Sequence, residues 1–264
     1  MKKNYIVTGC AGFIGSNLTT RLLSDGNKVL GVDNFITGKK KFISPFIDNS
    51  NFKFLNLDLS KKFKYKYFNE YKDGIFHLSA NADIRDGLKN TFVDINQNII
   101  VTHNILEMMR HLSIKKIFFS STGSVYGESS QIPTKEDAPF PIQTSLYATS
   151  KISAEGLISS FCEGFGIEGK IFRFVSILGK NYHHGHVIDF VNQLKPKSFW
   201  FTKERGSSEK HGDKKYGFLA QDILALEGSD PVIINNKDED SLKYQGSHLI
   251  PILVNAIKEL SVKV

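Results

Sequence analysis

Cysteine is scarce: Cys10 and Cys162 are the only two in 264 residues. Two thiols cannot hold a disulfide scaffold together, and a reducing compartment is the expected setting. Glycine (21) and proline (7) are too few for a collagen-like or low-complexity chain. No apolar run reaches the roughly 18 residues of a membrane-spanning helix. The opening MKKNYIVTG is basic and then apolar, but Gly9 and Gly12 interrupt it before a signal-peptide core could form. The expectation is a cytoplasmic protein without a membrane partner. Arginine is sparse beside lysine, and the net charge of +7 is spread over lysines standing singly or in short runs such as Lys39 to Lys41. Nucleic-acid grooves interleave Arg with aromatics on one face. This pattern reads as solvated surface with some attraction for anionic ligands, so no nucleic-acid partner is expected.

What is present is a 41% hydrophobic chain, long enough to bury one large core or one plus a small appendage. Strand-like and helix-like stretches alternate over the first two thirds. Strands are expected at Tyr5 to Thr8, Lys28 to Val32, Phe52 to Leu57, Gly74 to Leu78, Lys116 to Ser120 and Gly169 to Val175. Helices are expected at Ile14 to Leu23, Asn98 to Arg110 and Ser145 to Glu163. This alternation predicts an α/β fold, a doubly wound parallel sheet with its ligand crevice at the carboxyl ends of the strands. After about residue 190 the rhythm changes. Ser198 to Thr202 and Tyr216 to Leu219 read as short strands around a charged loop from Lys203 to Lys215. A closing helix carries Leu249, Leu253, Ala256 and Leu260 on one seam.

The strongest local motif is TGCAGFIG, Thr8 to Gly15, between the first strand and the first helix. Gly9 permits a tight turn, Gly12 lets backbone approach a pyrophosphate, and Gly15 lets the helix pack on the strand. The helix N-terminus, from Phe13 and Ile14 onward, offers amide donors to phosphates. Asp33 ends the second strand, where a carboxylate can accept both ribose hydroxyls of an adenosine and repel a 2′-phosphate. The pattern points to NAD rather than NADP. Cys10 lies within the loop and reads as a small filler residue, since no base stands near it in sequence.

Tyr147 and Lys151 form Y-x-x-x-K on one face of a predicted helix. Nine tyrosines in a Lys-rich chain make such a pair common by chance. Its meaning comes from Ser120 to Gly127, SSTGSVYG, which ends the fifth strand on the ligand side. An ammonium near a phenol favours phenolate, and the Thr122 hydroxyl can share a proton with a substrate oxygen. Together these make a general base for an alcohol undergoing oxidation. His183, His184 and His186 read as an exposed loop, without the spacing or carboxylate partner of a metal site.

TGCAGFIG, Asp33-Asn34, Asp58-Leu59, HLSANAD (His77 to Asp83), Asn98, FSSTGSVYG and YATSK stand in one order over residues 1 to about 190. In that order they resemble an extended short-chain dehydrogenase/reductase of the nucleotide-sugar epimerase/dehydratase family. The resemblance implies Tyr147 as base, Lys151 at the nicotinamide ribose and Thr122 orienting the sugar hydroxyl. It places Asp58 and Leu59 near adenine, Leu78, Ser79 and Ala80 along the dinucleotide, and Asn98 and Ser120 beside the cofactor. Asp83, Ser121, Thr122 and Ser176 are expected at the substrate, a nucleotide sugar, with UDP as its nucleotide. Dehydratases of this family carry Asp-Glu after the catalytic Thr, and the related decarboxylases carry Glu there. Gly123 and Ser124 stand at those positions here and cannot transfer such protons. That favours a UDP-glucose 4-epimerase-like isomerase, while a 4-ketoreductase fits the same residues.

The resemblance weakens beyond the sixth strand. Ser176 stands where the family has Asn in R-x-F-N-x-x-G-P, and the long substrate-closing segment is shortened. LKPKSFWF (Leu194 to Phe201), YGFLAQDI (Tyr216 to Ile223) and YQGSHLIPILVNAIKEL (Tyr244 to Leu260) resemble the intramolecular chaperone domain of phage tailspikes and endosialidases. The expected organisation is a fusion at about 190: an NAD-binding domain, 1–190, and a chaperone-like tail, 191–264. A homo-oligomer is implied, dimeric by the epimerase resemblance and trimeric by the tail. A second function class follows, an NAD-binding module with little catalysis on an oligomerising tail.

Overall fold

The computed structural model describes residues 2–129, 131–139, 142–175, 177–182, 193–194, 197–202, 208–218, 220–227, 234–235 and 243–244. The chain divides into two units, residues 1–177 and 178–264.

The first unit runs β1 (Asn4–Thr8), α1 (Phe13–Ser24), β2 (Lys28–Asp33), α2 (Lys40–Ile43), β3 (Phe52–Asn56), β4 (Gly74–His77), α3 (Ile84–Lys89), α4 (Phe92–Asp94), α5 (Val101–Leu112), β5 (Lys116–Thr122), α6 (Leu146–Phe165) and β6 (Glu168–Phe174). A π-helical stretch, Ile95–Ile100, joins α4 to α5. The six strands form one parallel sheet in the order β3-β2-β1-β4-β5-β6. This is the doubly wound arrangement expected from the alternation, with its order reversing between β1 and β4.

The central strands are covered on both faces, which is why β1, β2 and β4 read as short, nearly continuous apolar runs. On one face Ile6, Leu30, Ile75, Ile117 and Phe119 meet α5 and α6. Val101, Ile105, Met108 and Leu112 supply the α5 side at helical spacing. On the other face Val7 and Val29 pack with Leu22 and Leu23 of α1 and with Phe46 and Phe52. Each such side chain, fully buried, contributes ~2 kcal/mol. Helix α6 begins at Ser145, whose side chain accepts from Ala148 N, and ends at Gly166 with φ +61°. The α-helical part expected from Asn98 starts at Val101, because Asn98 itself belongs to the π-helical turn.

In the second unit β7 (Lys197–Thr202) pairs antiparallel with β8 (Lys210–Gly217), with an irregular register between Phe199 and Phe201. The loop expected over 203–215 is thus shorter, and its last six residues are strand. Charge hid this strand: Lys210 and Lys214 lie 4.0 and 5.1 Å from the Trp200 ring centre, so these lysines pack across the hairpin. Helix α7 (Ala220–Glu227), absent from the sequence reading, and a short pair β9 (Ile234–Asn235) and β10 (Lys243–Tyr244) follow. Ser176, the three histidines near 185 and the closing helix expected after 248 lie outside the described residues. Among the described residues no helix is long and apolar enough to cross a membrane.

Candidate active site

The strand order brings the carboxyl ends of β1, β2, β4 and β5 along one edge. At the β1 end, Gly9 N donates to Val32 O at 2.8 Å and Gly12 N to Gly9 O at 3.0 Å, folding the loop over β2. Gly9 has φ +71°, and a Cβ there would lie 2.9 Å from the Leu78 and Ser79 backbone. A Cβ on Gly15 would fall 2.0 Å from Gly9 O. Both glycines are therefore required by close backbone approach. Gly12 caps α1 with no side-chain hydrogen bond, and the first turn, Phe13 and Ile14 included, holds no acidic residue. An uncapped helix start with its dipole at the strand ends suits a diphosphate, and the donor set fits a dinucleotide.

Asp33 is buried at the end of β2, where its Oδ2 accepts from Ala11 N at 2.9 Å and its Oδ1 from Phe35 N at 2.8 Å. Burial raises its pKa, and these backbone hydrogen bonds oppose the rise. Both oxygens thus already brace the loop, and each keeps lone-pair capacity for a ribose hydroxyl. Asn34 closes its own turn by accepting from Ile36 N, and Asp58 does the same through Ser60. The Leu59 side chain is in the core, leaving backbone rather than side chain for any adenine contact. Cys10 is fully buried, and burial pushes its thiol far up, as suits a filler residue.

Between the two ends, Thr8 and His77 lie level in adjacent strands. Thr8 Oγ1 accepts from Leu78 N and Ser79 N, both at 3.1 Å, and lies 2.8 Å from His77 Nδ1. His77 Nε2 is 3.0 Å from Thr102 Oγ1, which itself donates to Asn98 O at 2.6 Å. Thr102 must accept from Nε2–H, so His77 is the neutral Nε2–H tautomer. Burial and the Lys151 charge push its pKa down to about 3. Ala80 stands half-buried just beyond.

At the β5 end the Tyr147 phenol stands close enough to Thr122 for that side chain to lower its pKa. Thr122 Oγ1 also caps the next turn, accepting from Ser124 N at 3.1 Å. Lys151, buried, donates from Nζ to Ser120 O at 2.8 Å and lies 4.8 Å from the Phe119 ring centre. Burial lowers its pKa to about 8, against the pull of Asp94 and Glu155. The expected lowering of the tyrosine pKa is not what the structure holds: burial raises it, the nearby Thr122 side chain lowers it, and Asp94 raises it again. Helical i,i+4 spacing puts Tyr147 and Lys151 on one face, yet the ammonium turns to the strand carbonyl.

Two expected substrate contacts are engaged elsewhere. Ser121 is buried with its hydroxyl on Glu155, which also pairs with Arg173 at 2.8 Å. Strand alternation points it at α6, opposite the faces of Ser120 and Thr122. Asp83 caps α3 through Arg85 N and holds the Arg85 guanidinium at 2.7 Å. Sequence reasoning missed Asn81 and Asp94, both buried beside Asn98. Asp94 stands four residues before Asn98, a spacing that would have put both on one helical face.

The NAD dependent epimerase/dehydratase family matches residues 5–202. The chain belongs to that family. The family match passes the boundary expected near 190, so Leu194 to Phe201 falls inside it. A UDP-glucuronate 4-epimerase of Thermodesulfobacterium geofontis is 35% identical over 182 residues, 66% of this chain and 56% of that one. The UDP-glucuronic acid decarboxylase 1 of Xenopus tropicalis is 29% identical over 98% of this chain and 62% of its own length. The UDP-glucose 4-epimerase of Thermotoga maritima, solved with UDP-glucose, superposes with TM-score 0.66 at 30% identity, covering 72% of this chain and 62% of that one. This epimerase/dehydratase family chain thus spans 56 to 62% of the length of these three relatives.

Proposed function

We propose that the chain is an NAD-dependent nucleotide-sugar 4-epimerase of the UDP-glucose/UDP-galactose type. What carries this reading is the placement of Tyr147 in the first turn of α6 close to Thr122 at the carboxyl end of β5, with Lys151 buried one turn on and donating to Ser120 O. In this reading the diphosphate rests on Gly9, Gly12, Phe13, Ile14 and Gly15, with Asp33 and Asn34 at the adenosine ribose and Asp58 and Leu59 by adenine. Leu78, Ser79 and Ala80 line the dinucleotide, and Asn98, Ser120, Tyr147 and Lys151 surround its nicotinamide end. NAD supplies the reversible two-electron oxidation at sugar C4. Tyr147 takes the C4 hydroxyl proton and later returns it, Thr122 orients that oxygen, and the 4-keto sugar turns over before reduction from its other face. Asp83, Ser121 and Ser176 are the weaker substrate assignments, since the first two are tied to Arg85 and Glu155.

Epimerisation is favoured over elimination or decarboxylation by the turn after Thr122. A Cβ on Gly123 would lie 2.5 Å from Cγ2 of the exposed Val175, so a larger residue there would need that side chain to turn away. Ser124 is held to Thr122. Neither position supplies a carboxyl group. The test is conversion of UDP-galactose by the purified chain with NAD, with products analysed. UDP-glucose alone supports the reading. A 4-keto-6-deoxy sugar, or no turnover with either 4-epimer, overturns it. Solution mass separates a family-like dimer from a trimer built through residues 244–260.

A further inference from the structure

Asp94 is buried to 1% exposure beside the catalytic helix. Its Oδ1 accepts from Asn81 Nδ2 at 2.9 Å and from Asn98 Nδ2 at 3.4 Å. Its Oδ2 is buried without a hydrogen-bond partner among the described residues. A buried carboxylate half satisfied in this way is costly, and its retention calls for a countercharge. The sequence places Asp94 where α4 enters the π-helical turn, and Gly87 of α3 makes room for it: a Cβ on Gly87 would lie 2.5 Å from Oδ2. From Asp94 a chain of amides runs toward the base. Asn81 N donates to Asn98 Oδ1 at 2.8 Å, Asn98 Nδ2 to Ser150 Oγ at 2.8 Å, and Ser150 Oγ to Tyr147 O at 2.7 Å.

We propose that Asp94 is a positioning residue for the Tyr147–Lys151 pair, its buried carboxylate acting as countercharge to the Lys151 ammonium and as anchor of the amide chain that ends on the first turn of α6. The inference deepens the epimerase reading and takes its catalytic meaning from it. Among the described residues the charged and titratable groups facing the pair are few. Tyr147, Lys151 and Glu155 come from α6, Asp94 from α4 and His77 from β4, while Gly87 of α3 and Asn81 bring no charge. The negative charge of Asp94 favours the Lys151 ammonium and disfavours the Tyr147 phenolate. It therefore keeps both protons in place until substrate arrives. His77, neutral, adds no competing charge beneath the lysine.

The test is a pH titration of the full chain labelled with 13C at lysine Cε, followed by NMR. The Lys151 signal is the one titrating near pH 8, and it is absent from Lys151→Met. In Asp94→Asn the midpoint is expected to fall by ~1 pH unit, the size of effect of one close charge. A Tyr147-dependent pH–rate profile should move to lower pH in the same variant. An unmoved lysine midpoint overturns the proposal. Should Asp94→Asn fail to fold, Gly87→Ala pushes the carboxylate from its seat, and an unmoved midpoint there is equally fatal. The lysine midpoint is read without sugar or turnover. A shifted midpoint in a chain inert toward UDP-sugars would therefore sink the epimerase reading and leave this one standing.

Discussion

The two ends of the crevice are built differently. At β1 and β2 the site is backbone: amides at a helix start, glycines whose missing Cβ atoms make room, and one carboxylate that braces the loop. At β5 and α6 it is side chains: Thr122, Tyr147 and Lys151, supported by the buried network of Asn81, Asp94, Asn98 and Ser150. The first end is most sensitive to added atoms. The second tolerates little loss of charge or hydrogen bonding. Binding a dinucleotide needs a shaped surface of donors, whereas moving a proton needs groups whose ionisation is held by their surroundings.

Adding one methyl to the first end should have the largest effect on the fold. In Gly15→Ala the new Cβ falls 2.0 Å from Gly9 O, a backbone atom that cannot step aside alone. We expect ~3 kcal/mol or more of destabilisation, read by urea unfolding, together with loss of NAD binding. Wild-type stability in that variant would mean the loop is not held by close approach. The second end is probed by Arg173→Met, which leaves the buried Glu155 carboxylate without its guanidinium partner. About 3 kcal/mol should be lost. Turnover should fall with it, because Arg173 also fixes the Tyr126 hydroxyl at 2.6 Å, next to the Thr122 turn.

The smallest effect belongs to His77, which sits between the two ends. Its pKa is pushed to about 3 in the fold and is ordinary, near 6.5, in the unfolded chain. Below pH 6.5 the unfolded state binds a proton that the folded state refuses, so stability falls as pH falls toward 3. The slope is ~1.4 kcal/mol per pH unit for this group alone. Thermal melts at pH 7 and pH 5 should therefore converge more for His77→Asn than for the native chain. Equal slopes would show that His77 is not neutral in the fold.

The difference between the ends also explains what the sequence disclosed. The glycine loop is contiguous, so Gly9, Gly12 and Gly15 announce it, and the strand alternation announces the sheet. Tyr147, Lys151 and Thr122 could be paired because two short motifs flank the crevice. The supporting network could not, because Asn81, Asp94 and Ser150 meet only after α4, the β4 loop and α6 pack together. The same holds for Ser121 and Glu155, 34 residues apart yet hydrogen bonded. The ionisation of Tyr147 was misjudged for a related reason: helical spacing puts Lys151 beside it, but depth sends the ammonium to Ser120 O. In the second unit the lysines of β8 mimicked a loop, since their aromatic partner Trp200 stands on the opposite strand.

In the proposed reading, binding and chemistry are separable along this one edge of the sheet. That separation is tested by measuring bound NAD and UDP-galactose turnover side by side in Tyr147→Phe and Gly9→Val. Tyr147→Phe should keep the dinucleotide and lose turnover by ~1000-fold, the size of a general acid–base contribution. Gly9→Val should fail to bind NAD at all. Native turnover in Tyr147→Phe, or undiminished NAD in Gly9→Val, would contradict it.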